Sequence, residues 1–293
     1  MKSLFLAVSV LIITSIKMSG QNFPTAWEDL STPDFALAVE KSEGVCLLPM
    51  GAIEKHSQHL PLSTDISIAR EICRRAAANE YCIIFPYFYA GEILYANHQP
   101  GTIAYSPELL LKLLDETCKE IARNGIKKIV IVNCHGGNSS FLAYFSQIQN
   151  ASPRDYAVYL ASPSVPPDFQ EKITPLRKNT IGGHADEVET SYMLAIRPEL
   201  VKMERVSIES GVSLNRLQHL PNNITTGIKW YADHPNCYSG DGKYASSTLG
   251  ELFFEGRSRN LVELIKAIKA DTITIQLQNE FFQKSLTPLN TKE

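Results

Sequence analysis

The stretch from residue 48 to residue 65, LPMGAIEKHSQHLPLSTD, contains residue types that bind metal ions. Glu54 and His56 are two positions apart, so in an extended segment their side chains leave from the same face. Asp65 follows a polar loop interrupted by proline and opens an apolar run with helical spacing, which places it at or near a helix start. This set suits one divalent metal, or two metals bridged by the aspartate. The alternative is a surface loop with charged residues by chance.

Two later stretches carry the same residue types. Residues 133–138, NCHGGN, place His135 directly after an apolar run, and the two glycines that follow let the backbone approach a ligand closely. Residues 182–191, GGHADEVETS, contain His184 and Glu189. A structural histidine in a tight turn is the alternative for the first stretch, and a solvated acidic helix start is the alternative for the second.

The elements that must position these residues alternate between strand and helix over the first 200 residues. Such alternation predicts an α/β fold with a mainly parallel sheet sandwiched by helices. In an open sheet of this kind, ligands bind beyond the carboxyl ends of the strands, so side chains that follow the strands should converge there. The apolar runs predict strands at 44–50, 82–85, 126–134 and 156–161, and helices at 33–40, 66–79, 106–125, 139–149 and 187–196.

Three further regions have their own predictions. The aromatic loop at residues 86–105 is long enough to help build a site. Residues 202–257, rich in Gly, Asn and Ser, are expected to be irregular, and residues 260–282 are expected to form one long amphipathic helix.

Composition and charge narrow the classes of function. The 293 residues carry a formal net charge of −3, so nothing favours nucleic acid or an anionic membrane surface as a partner. Residues 1–20 combine a basic start with a short apolar run and small residues, which predicts a signal peptide and export to the periplasm or medium. Residues 21–293 are then expected to form a single domain with no other membrane segment. None of the six cysteines forms a C-x-x-C pair, which favours buried thiols.

The three motif stretches resemble those of the creatininase (creatinine amidohydrolase) family of metal-dependent amidohydrolases. The family's opening motif, roughly P-x-G-S-x-E-Q-H-G-P-H-L-P-L-x-T-D, matches residues 49–65. Its N-G-H-G-G-N motif matches residues 133–138 with Cys134 in place of a glycine, and its H-A-G-x-x-E-T-S motif matches residues 184–191 with Asp186 in place of a glycine. The likeness covers roughly residues 45–250 and fits the family's H-G-G-N branch.

The resemblance implies a creatininase-like α/β/α fold and two divalent metal ions, which would be zinc, manganese or iron. Carried over by position, Glu54 and His135 would hold one ion, His56 would hold the other, and Asp65 would bridge them.

Two residues of the third motif complete the implied site. Creatininase itself has a carboxylate two residues after the histidine of the second motif, where this chain has Gly137. We expect Glu189 to supply that carboxylate. His184 matches the family's catalytic histidine, and either His184 or Glu189 would protonate the leaving nitrogen.

The implied function is hydrolysis of a C–N bond in a small amide by a metal-activated water, with cyclic amides favoured and a homo-oligomer expected. Creatinine itself is disfavoured, because the positions that hold it in creatininase are Gly136 and the pair Thr180-Ile181 here. One alternative is an exported, non-enzymatic protein that binds metal or solute on the same fold. Another is hydrolysis of a formyl amide, an ester or a phosphoester; the last is disfavoured because Lys55 is the one basic residue near the first motif.

Overall fold

A four-stranded parallel sheet in the order β2-β1-β3-β4 lies at the centre of the computed structural model, which describes residues 23–180 and 182–290. The predicted signal peptide lies outside these residues. A separate antiparallel pair, β5 with β6, follows later in the chain. The strands are β1 (Val45–Met50), β2 (Ile83–Ile84), β3 (Lys128–Asn133), β4 (Ala157–Ala161), β5 (Gly182–His184) and β6 (Ser239–Gly240).

Helices cover both faces of the parallel sheet, which confirms the predicted fold class. Alternate residues of a strand face opposite sides, so Val45 and Leu47 pack with α2, α6 and α8, while Cys46 and Leu48 pack with α3 and α4. The helices are α1 (Thr32–Lys41), α2 (Thr64–Ala77), α3 (Pro107–Arg123), α4 (Asn138–Ile148), α5 (Pro167–Ile173), α6 (Glu187–Ile196), α7 (Lys229–Asp233), α8 (Ser247–Ala270) and α9 (Thr274–Ser285). Within the described residues, no helix has the length and apolar character needed to cross a membrane.

The strand ends bring the first two motifs to one edge of the sheet. Met50, the last residue of β1, is in register with Asn133, the last residue of β3. Gly51 follows, and a Cβ there would lie 2.6 Å from the Cβ of Asp65. Only a residue without a side chain lets the start of α2 approach the end of β1 this closely, and this approach places Asp65 in the site.

Two predictions about the C-terminal part were wrong. Residues 202–257 are not irregular throughout, since they contain α7, β6 and the first turns of α8. Residues 260–282 do not form one helix, because the chain breaks between Ala270 and Thr274 and continues as α9. The short elements α5 and β5 were not predicted, and the predicted helix at 66–79 begins earlier, at Thr64.

Candidate metal centre

Asp65 lies between two histidines from different motifs. Its Oδ1 is 3.0 Å from His56 Nε2, and its Oδ2 is 2.9 Å from His135 Nδ1. All three side chains are almost fully buried. The first turn of α2, the loop after β1 and the loop after β3 therefore meet at one point, as the topology predicts.

A second carboxylate accompanies each histidine. Glu54 Oε1 lies 2.8 Å from His135 Nδ1, and Glu189 Oε2 lies 3.6 Å from His56 Nε2. Two ligand groups result, one of Glu54, Asp65 and His135 and one of His56, Asp65 and Glu189, and Asp65 belongs to both. The shared aspartate is the geometry expected for a pair of divalent ions.

Main-chain carbonyl groups set which nitrogen of each histidine faces the carboxylates. His135 Nε2 donates to the carbonyl oxygen of Glu92 at 2.8 Å, and His56 Nδ1 donates to that of Glu54 at 3.3 Å. Since a carbonyl oxygen only accepts, the proton of each neutral ring lies on that nitrogen. The other nitrogen then directs its lone pair at the carboxylates, as in metal sites where an outer acceptor fixes the histidine tautomer.

Several carboxylate oxygens of the cluster are buried without a hydrogen-bond donor, which suits binding to a cation. Both oxygens of Glu54 and Oδ2 of Asp65 are buried and accept no hydrogen bond. His135 Nδ1 lies close to both carboxylates but makes no aligned hydrogen bond with these oxygens. Buried carboxylates without a partner are strongly disfavoured, and a divalent ion would satisfy these oxygens and the facing lone pairs together. The donor set therefore fits zinc, manganese or iron.

The raised pKa values in the cluster also favour a bound cation. Burial lowers the pKa of His56, but the carboxylates of Asp65, Glu189 and Glu54 outweigh it and raise the pKa to about 10. Burial, followed by the nearby charge of Asp65, raises the pKa of Glu189 to about 8 although His56 opposes it. Without a cation the cluster thus retains protons, which a metal ion would displace on binding.

The local backbone explains why Glu189 occupies a ligand position. Ala185 has a φ of 55°, in the left-handed region, so the chain turns sharply between β5 and α6. Its N–H group then donates to Glu189 Oε2 at 2.5 Å and holds the carboxylate towards the cluster. At Gly137, by contrast, a Cβ would lie 2.5 Å from His135 Nε2 and 2.6 Å from the carbonyl oxygen of Glu92, so this position cannot carry a carboxylate.

His184 lies beside the two ligand groups. Its ring centroid is 4.2 Å from that of His56, and its Nε2 donates to the carbonyl oxygen of Lys55 at 3.0 Å. Nδ1 is therefore the nitrogen without a proton in the neutral ring, and it lies 4.0 Å from Glu189 Oε2. Burial and the neighbouring His56 lower the pKa of His184 to about 4. His184 also forms a third candidate ligand group with Glu54 and His56, because its Nε2 is 3.6 Å from Glu54 Oε2.

Two aromatic residues cover the cluster. Tyr95, from the aromatic loop, stacks on His135 with the ring centroids 6.3 Å apart. Trp230 of α7 contacts both Tyr95 and His184 edge-on, at 5.7 and 5.6 Å. Sequence reasoning missed Trp230, which lies in a region without periodicity; its one available signal was that the chain contains two tryptophans.

Other residues near the motifs lie outside the cluster. Lys55 forms an ion pair with Glu209 at 2.6 Å. In the aromatic loop Tyr87 is exposed and Phe88 packs into the core, whereas Glu92 contributes its carbonyl oxygen.

Known proteins resemble this chain in both sequence and structure. The creatininase family model, described as creatinine amidohydrolase, matches residues 28–265. The creatinine amidohydrolase of Pseudomonas putida is 27% identical over 195 residues, which are 61% of this chain and 74% of that protein. The mycofactocin precursor peptide peptidase of Mycobacterium ulcerans (strain Agy99) is 31% identical over 217 residues, which are 71% and 79% of the two chains.

A solved structure named "Creatininase Mn" superposes with a TM-score of 0.70 at 23% identity and covers 84% of this chain and 99% of its own. This likeness shows the same fold. Because the family model spans most of the sequence and all three motifs meet at one edge of the sheet, the chain belongs to the creatininase family.

Proposed function

We propose that this protein is a metal-dependent hydrolase that cleaves the C–N bond of a small amide, with cyclic amides the favoured class. The observation that carries the proposal is the pair of buried ligand groups that share Asp65 and leave carboxylate oxygens without hydrogen bonds. Relatives named as an amidohydrolase and as a peptidase support C–N bond hydrolysis as the reaction class.

The residues of the cluster would have two roles, metal binding and proton transfer. Glu54, Asp65 and His135 would hold one divalent ion, and His56, Asp65 and Glu189 would hold the other. Such ions lower the pKa of water and polarise a carbonyl group. His184 Nδ1 and Glu189 Oε2 lie 4.0 Å apart at the edge of the cluster, and either group would pass a proton to the leaving nitrogen.

The surroundings would favour this chemistry. The ligand side chains other than Glu189 are almost fully buried, so the fixed charges act with little screening by water. Tyr95 and Trp230 form an aromatic wall beside His135 and His184, against which a flat, small amide can pack.

Turnover after controlled metal loading tests the proposal. The protein is stripped with a chelator, reloaded separately with zinc, manganese or iron, and assayed on lactams, hydantoins, creatinine, formyl amides and short peptides. We expect turnover that disappears with chelator and returns with metal. If ligands shift the melting temperature but none is hydrolysed with any metal, the protein is instead the non-enzymatic binder.

A further inference from the structure

A cavity of about 410 Å³ adjoins the metal centre on the side of Glu189. The Glu189 side chain keeps 18% of its surface exposed, whereas that of Asp65 keeps 2%, so the cluster is most open on the side of this carboxylate. The cavity walls combine apolar side chains with two arginines from distant parts of the chain. Its lining includes Ile68, Cys134, Val165, Arg177, Phe253 and Arg257.

Arg257, on α8, reaches this cavity without an acidic partner in the described part of the chain. Its Nε donates to the carbonyl oxygen of Pro163 at 3.0 Å, its Nη1 lies 3.5 Å from the hydroxyl of Tyr192, and the guanidinium also contacts the thiol of Cys134. A guanidinium has five N–H donors, so these neutral partners leave donors free and the positive charge uncompensated. A partly buried charge of this kind is stabilised by an anion that enters the cavity.

Arg177 supplies a second unsatisfied group. Its Nε is buried and donates no hydrogen bond, and it lies 3.9 Å from Glu187 Oε2. That carboxylate already accepts from the backbone N–H groups of Lys178 and Asn179. Its Nη2 donates to the carbonyl oxygen of Asn179 at 2.7 Å, so Arg177 lines the cavity as a weaker candidate donor than Arg257.

Asp186, the other carboxylate among the described residues that line the cavity, makes no ion pair with either arginine there. Asp186 Oδ1 accepts from the backbone N–H groups of Val188 and Glu189, at 2.9 and 3.1 Å, and so caps the start of α6. Glu189 itself is turned towards His56. The positive charge without an acidic partner among the described residues is therefore that of Arg257.

From these contacts we propose that the cavity is an anion subsite and that the substrate is an amide carrying a carboxylate or phosphate group. The inference rests on the proposed hydrolysis. With the C–N bond at the metal centre, the anionic group lies past Glu189 and binds Arg257, with Arg177 as a second donor. Guanidinium groups bind both anions through paired, charge-assisted hydrogen bonds.

Matched substrate pairs that differ in one anionic group test the subsite. The carboxylate pairs are 5-oxoproline with 2-pyrrolidone, hydantoin-5-acetate with hydantoin, and N-formylglycine with N-formylglycinamide. N-formylethanolamine phosphate with N-formylethanolamine tests the phosphate. For the metal-loaded protein we expect kcat/KM to be about 10- to 100-fold higher for the anionic member of a pair, and the pair that responds identifies the anion.

Variants assign the preference to the arginines. With the preference measured as the ratio of kcat/KM within each pair, Arg257→Gln should abolish it, Arg257→Lys should keep part of it, and Arg177→Gln should reduce it. Arg259→Gln is the matched control, since Arg259 lies on the same helix, is half exposed and pairs with Asp168. If Arg257→Gln does not fold, Arg257→Lys and Arg177→Gln still decide the outcome.

Binding to the metal-free protein separates this inference from the proposed hydrolysis. The same anionic compounds should raise the melting temperature of the chelator-treated protein, and the rise should be smaller in both Arg257 variants. Absence of turnover with any metal would overturn the hydrolase but leave this binding result standing. Equal kcat/KM for both members of every pair would overturn the subsite. An equal rise in melting temperature for the wild-type protein and the Arg257 variants would also overturn it.

Discussion

Among single residues, Asp65 has the central place because its two oxygens face different histidines. Oδ1 approaches His56 and Oδ2 approaches His135, both within 3.0 Å. Glu54 approaches His135 at Nδ1, and Glu189 approaches His56 at Nε2, so each glutamate faces one of these two histidines. A defect at Asp65 should therefore affect both of the proposed ions, whereas a defect at either glutamate should affect mainly one.

We expect Asp65→Ala to lose both metals and nearly all activity. The physical reason is that it removes a ligand at once from both of the groups that share Asp65. Metal content per chain, measured by mass spectrometry after gel filtration, gives the answer. Glu71→Gln is the control, because Glu71 lies on the same helix but pairs with Arg74 and Arg75. Full metal occupancy in Asp65→Ala would contradict the bridging position.

His184→Ala should retain the metals and lower kcat by about 10²- to 10⁴-fold, the range typical of a lost general acid or base. His184 contacts the cluster but is tied to the carbonyl oxygen of Lys55. Metal content and kcat, measured on one preparation, distinguish a metal ligand from a general acid or base. His219→Ala, at an exposed histidine, is the control. Loss of one metal equivalent would make His184 a ligand, and unchanged kcat would remove it from the mechanism.

Residue types and their positions after strands predicted part of the convergence of these side chains. Glu54, His56 and His135 were placed together because each follows a strand, and the structure brings them together. Glu189 was expected only through the resemblance, since its approach depends on the left-handed turn at Ala185, which no residue type announces. Arg257 was missed because it lies in a region predicted to be irregular, far from every motif.

At the scale of the elements, glycines misled the prediction for the start of α8. Gly250 belongs to the Gly-rich region that was expected to be irregular, yet it lies inside the helix, where a Cβ would come within 2.0 Å of the carbonyl oxygen of Ser191. It lets α8 pack closely against α6, the helix that carries Glu189. Periodicity along one segment cannot reveal a glycine's role in a contact between two helices.

The boundary between α8 and α9 depends on Asp271. Its Oδ1 accepts from the backbone N–H groups of Ile273 and Thr274, and its Oδ2 accepts from the hydroxyl of Tyr159. Asp271→Ala should lower the free energy of unfolding by about 1 kcal/mol, the usual value of such a cap, and should leave metal content unchanged. Urea unfolding measures it. Glu280→Ala, which removes an exposed pair with Lys284 within α9, is the control, and equal losses in both variants would contradict the assignment.

For the whole molecule, the buried charges of the candidate metal centre make stability depend on pH. Glu54, Asp65 and His135 are buried at the edge of the sheet, so their charges must be balanced for the chain to remain folded. Protons or metal ions can provide this balance. The two compete for the same atoms, so the pH dependence of stability should differ with and without metal.

The metal-free protein should become less stable between about pH 6.5 and 9. The folded-state pKa of His56, about 10, lies above the usual value, so its contribution is complete below about pH 6.5 and is lost as the pH rises. The raised pKa of Glu189, about 8, acts in the same direction. With saturating manganese the added stability should instead grow over this range, because binding no longer has to displace protons.

Melting temperatures in chelator and in manganese, recorded on one pH series, test this competition. Asp65→Ala is the control, and its two curves should coincide. Parallel curves for the wild-type protein would show that the cluster does not exchange protons for metal.

The fold was easier to predict than the site, because the spacing of buried apolar residues over the first 200 residues indicates strands and helices. What could not be predicted depends on contacts between distant segments. Trp230, for example, reaches His184 through the path of the chain after α6.

His184 and His135 owe their orientation to the main-chain carbonyl oxygens of Lys55 and Glu92. An alanine scan leaves a carbonyl group in place, so replacing these two side chains would not remove the support. These hydrogen bonds depend on the path of the backbone, so side-chain mutagenesis does not test them directly. Amide-to-ester or thioamide replacement by chemical synthesis, which weakens a carbonyl as an acceptor, is the kind of change that would expose it.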